Sequence, residues 1–245
     1  MEKLEYSSAD FMYEKFLFDN DYFYKIISKQ EKDILDIILE EKNKLKCDNY
    51  SLPTNYYLTQ DGELCYKAKN LKDYRTISYL LKLGMSFDVK KIASSMAASF
   101  EELKSIGLSY WDFHEDNILL DKKSNIKIID LDSCQRLEDH HLTEYPIHRL
   151  VEMIFQLMIV SKKFKSFDSM PTFMDFLKKY NILDLYDNDV KEFLSAIRFS
   201  NTKSKHFELV PLVERICEED KVEEIKKRVL QNKLGVFMKK IIYKS

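Results

Sequence analysis

Two acids and an amide at fixed spacing mark the middle of the chain. Asp112 and Asn117 stand five residues apart in Tyr110-Trp-Asp-Phe-His-Glu-Asp-Asn-Ile-Leu-Leu-Asp121, and Asp130 follows in Ile126-Lys-Ile-Ile-Asp-Leu-Asp-Ser133. Ile118–Leu120 and Ile126–Ile129 are short apolar runs around the turn Asp121-Lys-Lys-Ser-Asn125, which predicts a tight two-stranded hairpin. Such a hairpin sets Asn117, at the head of its first strand, beside Asp130, just past its second. Asp112 then lies across the loop. Magnesium is a hard cation held by one or two carboxylates, water and substrate phosphates. Asn117 and Asp130 supply oxygens of that kind, and Asp112 is left to orient an attacking hydroxyl and accept its proton. Aspartate and asparagine are also ordinary turn residues, so it is their combination with the flanking strands that points to a metal and phosphate site.

The order D-x4-N, strand hairpin, D-x-[GD] resembles the catalytic and metal-binding loops of the protein-kinase-like superfamily. Asp-Phe-His-Glu-Asp-Asn-Ile-Leu is closest in wording to the aminoglycoside phosphotransferase and choline kinase branch, where a histidine often follows the catalytic aspartate by two positions, as His114 does here. The resemblance implies Asp112 as catalytic base, Asn117 and Asp130 as magnesium ligands, and ATP with Mg²⁺ as cofactors. Its specific motifs cover only Tyr110–Ser133, although the order of strand-rich and helical parts extends it over most of the chain. Asp132, where the family often has glycine, is either a further magnesium contact or a turn residue.

The family also implies partners outside this segment. Lys25, in the apolar strand Tyr22-Phe-Tyr-Lys-Ile-Ile, resembles the lysine that meets the nucleotide α/β-phosphates. A helix acid should hold it. Glu31 belongs to a capping box with Ser28, whereas Glu41 lies on the inward stripe of Ile34, Ile38 and Leu45, so Glu41 is expected to pair with Lys25. The phosphate-covering loop is expected at Tyr6-Ser-Ser-Ala-Asp-Phe11, which contains no glycine; Ser7 and Ser8 either approach phosphates there or belong to a plain turn between strands. The hinge that meets adenine is expected at Tyr66-Lys-Ala-Lys-Asn70, with Ala68 at its centre. Tyr110 is expected to pack rather than react, and His114 to support its loop. His148 or Arg149 stands where protein kinases carry an aspartate that braces the catalytic loop.

The supporting elements follow from local pattern. Lys15–Asp19 and Tyr22–Ile27 flank Asn20-Asp21 as a hairpin, and a capped helix is expected from about Lys29 to Lys46. Thr54–Thr59 and Leu64–Lys69 form a second hairpin. Helical patterns occupy Lys72–Leu83 and Phe87–Ile106, the latter closed by Gly107. They return from Pro146 onward, over 147–160, 172–180, 189–199, 209–217 and 222–242. The expected class is α+β: a bilobal kinase-like fold with a nucleotide-binding lobe over 1–70, built of a small antiparallel sheet and one helix, and a mainly helical lobe over 71–245. About fifteen residues separate Asp130 from Pro146, fewer than a protein kinase's activation segment and without its closing motif. That favours a small hydroxyl-bearing acceptor or one specialised protein target. A protein Ser/Thr kinase and a catalytically silent scaffold are the alternatives. Asp184, Asp187 and Asp189 form either a solvated loop or a contact for a cationic acceptor.

Composition bounds the rest. A net charge of -2 with 45% hydrophobic and 33% charged residues suits a globular chain and gives no sign of a nucleic-acid or membrane-surface protein. No apolar run approaches the roughly 20 residues that span a bilayer, and the first residues lack a signal-like apolar stretch. The cysteines Cys47, Cys65, Cys134 and Cys217 are scattered, form no C-x-x-C pair and read as reduced thiols of a cytoplasmic protein.

Overall fold

The computed structural model describes residues 2–6, 16–19, 21–45, 48–85, 87–137, 144–159, 170–197 and 208–242. The class is α+β with a mixed sheet. The elements run β1 (Glu2–Lys3), β2 (Phe16–Asp19), β3 (Tyr22–Ile26), α1 (Lys29–Glu40), β4 (Pro53–Leu58), β5 (Leu64–Lys69), β6 (Arg75–Thr76), α2 (Ile77–Leu83), α3 (Val89–Ser105), β7 (Leu108–Tyr110), β8 (Ile118–Leu120), β9 (Ile126–Ile128) and β10 (Cys134–Arg136). The helices α4 (Glu144–Met158), α5 (Met170–Lys179), α6 (Asn188–Ala196), α7 (Leu209–Ile216) and α8 (Glu219–Ile242) follow.

The chain divides into two compact units, Met1–Ser78 with Ser99–Pro146, and Tyr79–Ala98 with Ile147–Ser245. This differs from a division at residues 70 and 71, because the loop after β7 and the β8–β9 hairpin cluster with the sheet. In the first unit the sheet order is β1-β4-β5-β3-β2, antiparallel except where β1 lies parallel to β4. Alternation along β3 sends Tyr24 to one face, against Cys65, Leu17 and Tyr57, and Lys25 to the other. Lys25 pairs across the ladder with Phe16 and Tyr66.

Helix α1 starts at a complete capping box. The Glu31 N–H donates to Ser28 Oγ at 3.2 Å, and the Ser28 N–H donates to Glu31 Oε2 at 2.6 Å. It buries Ile34, Leu35 and Ile38 and packs against the 3-10 turn Leu131–Ser133. It ends at Glu40, earlier than the pattern predicts. Lys42–Lys44 tighten into a 3-10 turn because no apolar side chain between Leu39 and Leu45 holds a further helical turn to the core.

The β8–β9 hairpin pairs Ile118 with Ile128 and Leu120 with Ile126, as its apolar runs predict. Asp121 secures the turn by accepting the Lys123 and Asn125 N–H groups, each at 2.8 Å. Strand β6 joins the hairpin through Arg75 and Thr76, residues whose local pattern reads as helix; sheet pairing overrides that weak preference. Strands β7 and β10 pair antiparallel and bracket the hairpin in sequence. Gly107, at φ +77°, ends α3 in a left-handed conformation and lets the chain enter β7 directly.

In the second unit α4 is buried nearly all round from Leu150 to Met158. Phe155 meets Phe173 at 5.5 Å and Phe176 at 6.2 Å between ring centroids. The aromatic residues of α5 are thus core. Among the described residues no helix is long and apolar enough to cross a membrane.

Candidate functional site

Asp112 meets Asn117 within the loop and Asp130 meets Lys25, and the hairpin backbone joins the two contacts within the first unit. The Ile129 N–H donates to the Asn117 carbonyl at 3.1 Å, which closes the hairpin and places Asn117 opposite the residue before Asp130. Asn117 is buried, and its Nδ2 donates to Asp112 twice, to the backbone oxygen at 3.0 Å and to Oδ2 at 2.9 Å. These bonds use the amide's donor end and leave Oδ1 as its acceptor atom. Asp112 itself is about half exposed.

His114 supports the loop from inside. Its Nδ1 accepts the Asp116 N–H at 3.2 Å, and its Nε2 lies 3.5 Å from Asp112 Oδ1. Tyr110 is buried, packs edge-on against Phe113 at 6.0 Å and donates its hydroxyl to the Ile129 carbonyl at 2.8 Å. It ties the head of the Asp112 loop to the strand that leads to Asp130. Burial holds its phenol well above the ordinary pKa, so it acts here as a donor. Packing was legible for an aromatic at this position; the hydroxyl tie was not, because it depends on the β7–β9 geometry.

Asp130 adopts the left-handed region at φ 56°, ψ 39°. Its carbonyl accepts both the Ser133 N–H at 3.1 Å and the Ser133 Oγ–H at 2.7 Å. Aspartate tolerates this conformation better than most residues. The sharp reversal sends Asp130 and Asp132 toward the same cation. Lys25 Nζ lies 2.7 Å from Asp132 Oδ2 and 3.3 Å from Asp130 Oδ1. Burial pulls the Lys25 ammonium down, but the two carboxylates outweigh it, and its pKa lies above the ordinary lysine value. Burial raises the Asp132 carboxyl above its usual range against the pull of Lys25. Asp132 Oδ1 is buried with no hydrogen-bond partner.

Glu41 corrects an expectation. It does not reach Lys25; it caps the end of α1, is partly exposed, and pairs with Lys44 at 2.5 Å. The helix stops before Glu41 can complete the inward stripe, and an acid at a frayed helix end finds the nearest lysine. Ser7 and Ser8 lie outside the described residues. Ala68 is fully buried inside β5, opposite Phe23, so the strand continues through most of the stretch expected to be a hinge and ends at Lys69.

Asp132, read from sequence as a metal contact or a turn residue, is both a turn residue and the nearest partner of Lys25. The pairing spans 107 positions, and no local pattern could reveal it. In the second unit His148 Nε2 lies 3.1 Å and Arg149 Nη1 2.7 Å from Glu152, a buried acid. Asp187 caps α6 and pairs with Arg215, which also lies 3.5 Å from Asp189. Two of the three clustered acids thus form exposed ion pairs with Arg215.

Among the described residues no group of three His, Cys, Asp or Glu side chains could hold a metal by itself. Asn117 Oδ1 and the Asp130 carboxylate are instead oxygens of the kind that take magnesium together with phosphate and water, while Asp132 is the acid held closest to Lys25. No family model matches the chain, and no curated protein matches it significantly.

Proposed function

We propose that the chain is an ATP- and magnesium-dependent phosphotransferase of the protein-kinase-like kind, nearest the aminoglycoside phosphotransferase and choline kinase branch. It transfers the γ-phosphate to a hydroxyl of a small molecule or of a specialised protein target. The observation that carries this is a pair of contacts in one compact unit, Lys25 with Asp130 and Asn117 with Asp112, joined by the backbone of the β8–β9 hairpin.

Each residue has a separate task. Asn117 and Asp130 would hold magnesium, which when bound neutralises charge developing on the transferred phosphoryl group. Lys25 supplies a buried ammonium for the nucleotide phosphates. Asp112, fixed by Asn117 and faced by His114, orients the acceptor hydroxyl and takes its proton. The test is transfer of labelled phosphate from ATP to a panel of small alcohols, aminoglycosides and proteins, including the chain itself. Transfer to small hydroxyl compounds supports this function; transfer only to proteins makes it a protein kinase. Asp112→Ala should abolish transfer and keep nucleotide binding, and equal transfer by that variant would remove Asp112 from its role.

A binding module without turnover is the second reading. One observation favours it: the Lys25 ammonium is already neutralised by Asp132 and Asp130. Thermal stability measured with saturating ATP and Mg²⁺ separates the cases, since a ligand that binds only the folded state raises the melting point. No stabilisation would select the module.

A further inference from the structure

We propose that Asp132 is the residue that positions Lys25 for the nucleotide phosphates, a task expected of an acid on helix α1. This role rests on the phosphotransferase reading and deepens it.

A lysine that meets phosphates must be kept extended and in place, because a free lysine side chain loses rotamer entropy when it is ordered. Helix α1 offers no acid for this. Glu31 is used by the capping box, and Glu41 pairs with Lys44 beyond the helix end. Asp36 pairs with Lys32. The inward face of α1 is Ile34, Leu35 and Ile38.

Asp132 meets each requirement. It is 4% exposed and Lys25 is 7% exposed, so their 2.7 Å contact is shielded from water and ions. The 3-10 turn that carries Asp132 is packed under α1 and pinned by the two Ser133 bonds to the Asp130 carbonyl. Asp130, the proposed metal ligand, lies farther from the lysine, at 3.3 Å, and is more exposed. The two acids of Asp-Leu-Asp thus divide the work, Asp130 for the metal and Asp132 for the lysine. A consequence is that the lysine restraint and a metal ligand share one rigid turn, and a shift of α1 alone would not release Lys25.

The test is a double-mutant cycle on Lys25→Met and Asp132→Asn in the full chain, with Glu41→Gln as a control. Two quantities are measured: affinity for ADP in the presence of a chelator, and affinity of the ADP complex for Mn²⁺. Circular dichroism confirms folding, and Lys25→Gln replaces Lys25→Met if the latter does not fold. Asp132→Asn should change metal-free ADP affinity by about tenfold when Lys25 is present and by less than about twofold when it is absent, as expected of residues that act through each other. Mn²⁺ affinity should stay within about twofold, and Glu41→Gln should change neither quantity. An equal Asp132→Asn effect in both backgrounds overturns the proposal, as does a loss of Mn²⁺ affinity with ADP affinity unchanged, which would make Asp132 a metal ligand. Failure of the unsubstituted chain to bind ADP refutes the phosphotransferase reading, and this role with it. Normal binding with an unconditional Asp132→Asn effect refutes this role alone.

Discussion

Replacing Lys25 by methionine should destabilise the first unit through the loss of one buried charge. The side chains are close in length, so packing is nearly preserved and the loss is electrostatic. Lys25 faces carboxylates at 2.7 and 3.3 Å. At an effective dielectric of about 20, each contact is worth roughly 5–6 kcal/mol before desolvation is subtracted. Desolvation removes much of this, and breaking one partner out of a buried pair typically costs about 3–5 kcal/mol net. The stranded Asp132 can escape by binding a proton. Burial already raises its folded-state pKa above the ordinary 3.8, and loss of Lys25 raises it further. A raised acid holds more protons in the folded than in the unfolded state between the two pKa values. Stability therefore falls as pH rises through that window, and Lys25→Met should be most damaged above it. Urea unfolding followed by the fluorescence of Trp111, the only tryptophan and a member of the first unit, isolates the effect. A loss of about 3 kcal/mol at pH 8, reduced near pH 4.5, is expected. A loss below about 1 kcal/mol at both pH values would refute the view that these charges are buried and mutually dependent.

Four further outcomes follow from the same geometry. Mg²⁺ at about ten times its dissociation constant should restore roughly 1.4 kcal/mol to Lys25→Met, measured as a shift in the urea midpoint. Asp112→Asn should lower turnover by about 10²–10⁴ and leave ATP affinity within a few-fold, checked by steady-state kinetics beside calorimetry. Gly107→Ala should cost about 1–2 kcal/mol through its backbone alone, because φ is +77° and no atom beyond the adjoining residues lies within 4 Å of the added methyl; chemical denaturation measures it. Burial pushes the Cys65 thiol up to about 11 and the Cys217 thiol to about 12, so both should resist a thiol-reactive disulfide at pH 8 until urea unfolds the chain.

Much of the site was legible because it is local. Asn117 and Asp130 are brought together by a hairpin whose apolar runs and turn residues are continuous in sequence, and Asp112 reaches Asn117 within one loop. The capping box of α1 and the terminator Gly107 are likewise short-range signals with direct physical causes. What local pattern could not show depends on distant packing. Glu41 looks inward only if α1 continues, and the helix stops one residue before it. The Lys25–Asp132 pair joins a sheet strand to a turn across most of the first unit. Strand β6 looks helical until β8 lies beside it, and the pairing of β7 with β10 leaves no periodic trace in three-residue strands. The division near residue 70 followed the change from strand to helical pattern, whereas the compact units group the β8–β9 hairpin with the sheet and α1.

The most direct measurement is calorimetric titration of Mg·ATP into the unsubstituted chain and into Asp130→Asn. Saturable binding near one nucleotide per chain, lost or strongly weakened by Asp130→Asn, is the expected result. Absence of binding by the unsubstituted chain, or equal affinity in the variant, would contradict the assignment of the hairpin to nucleotide and metal.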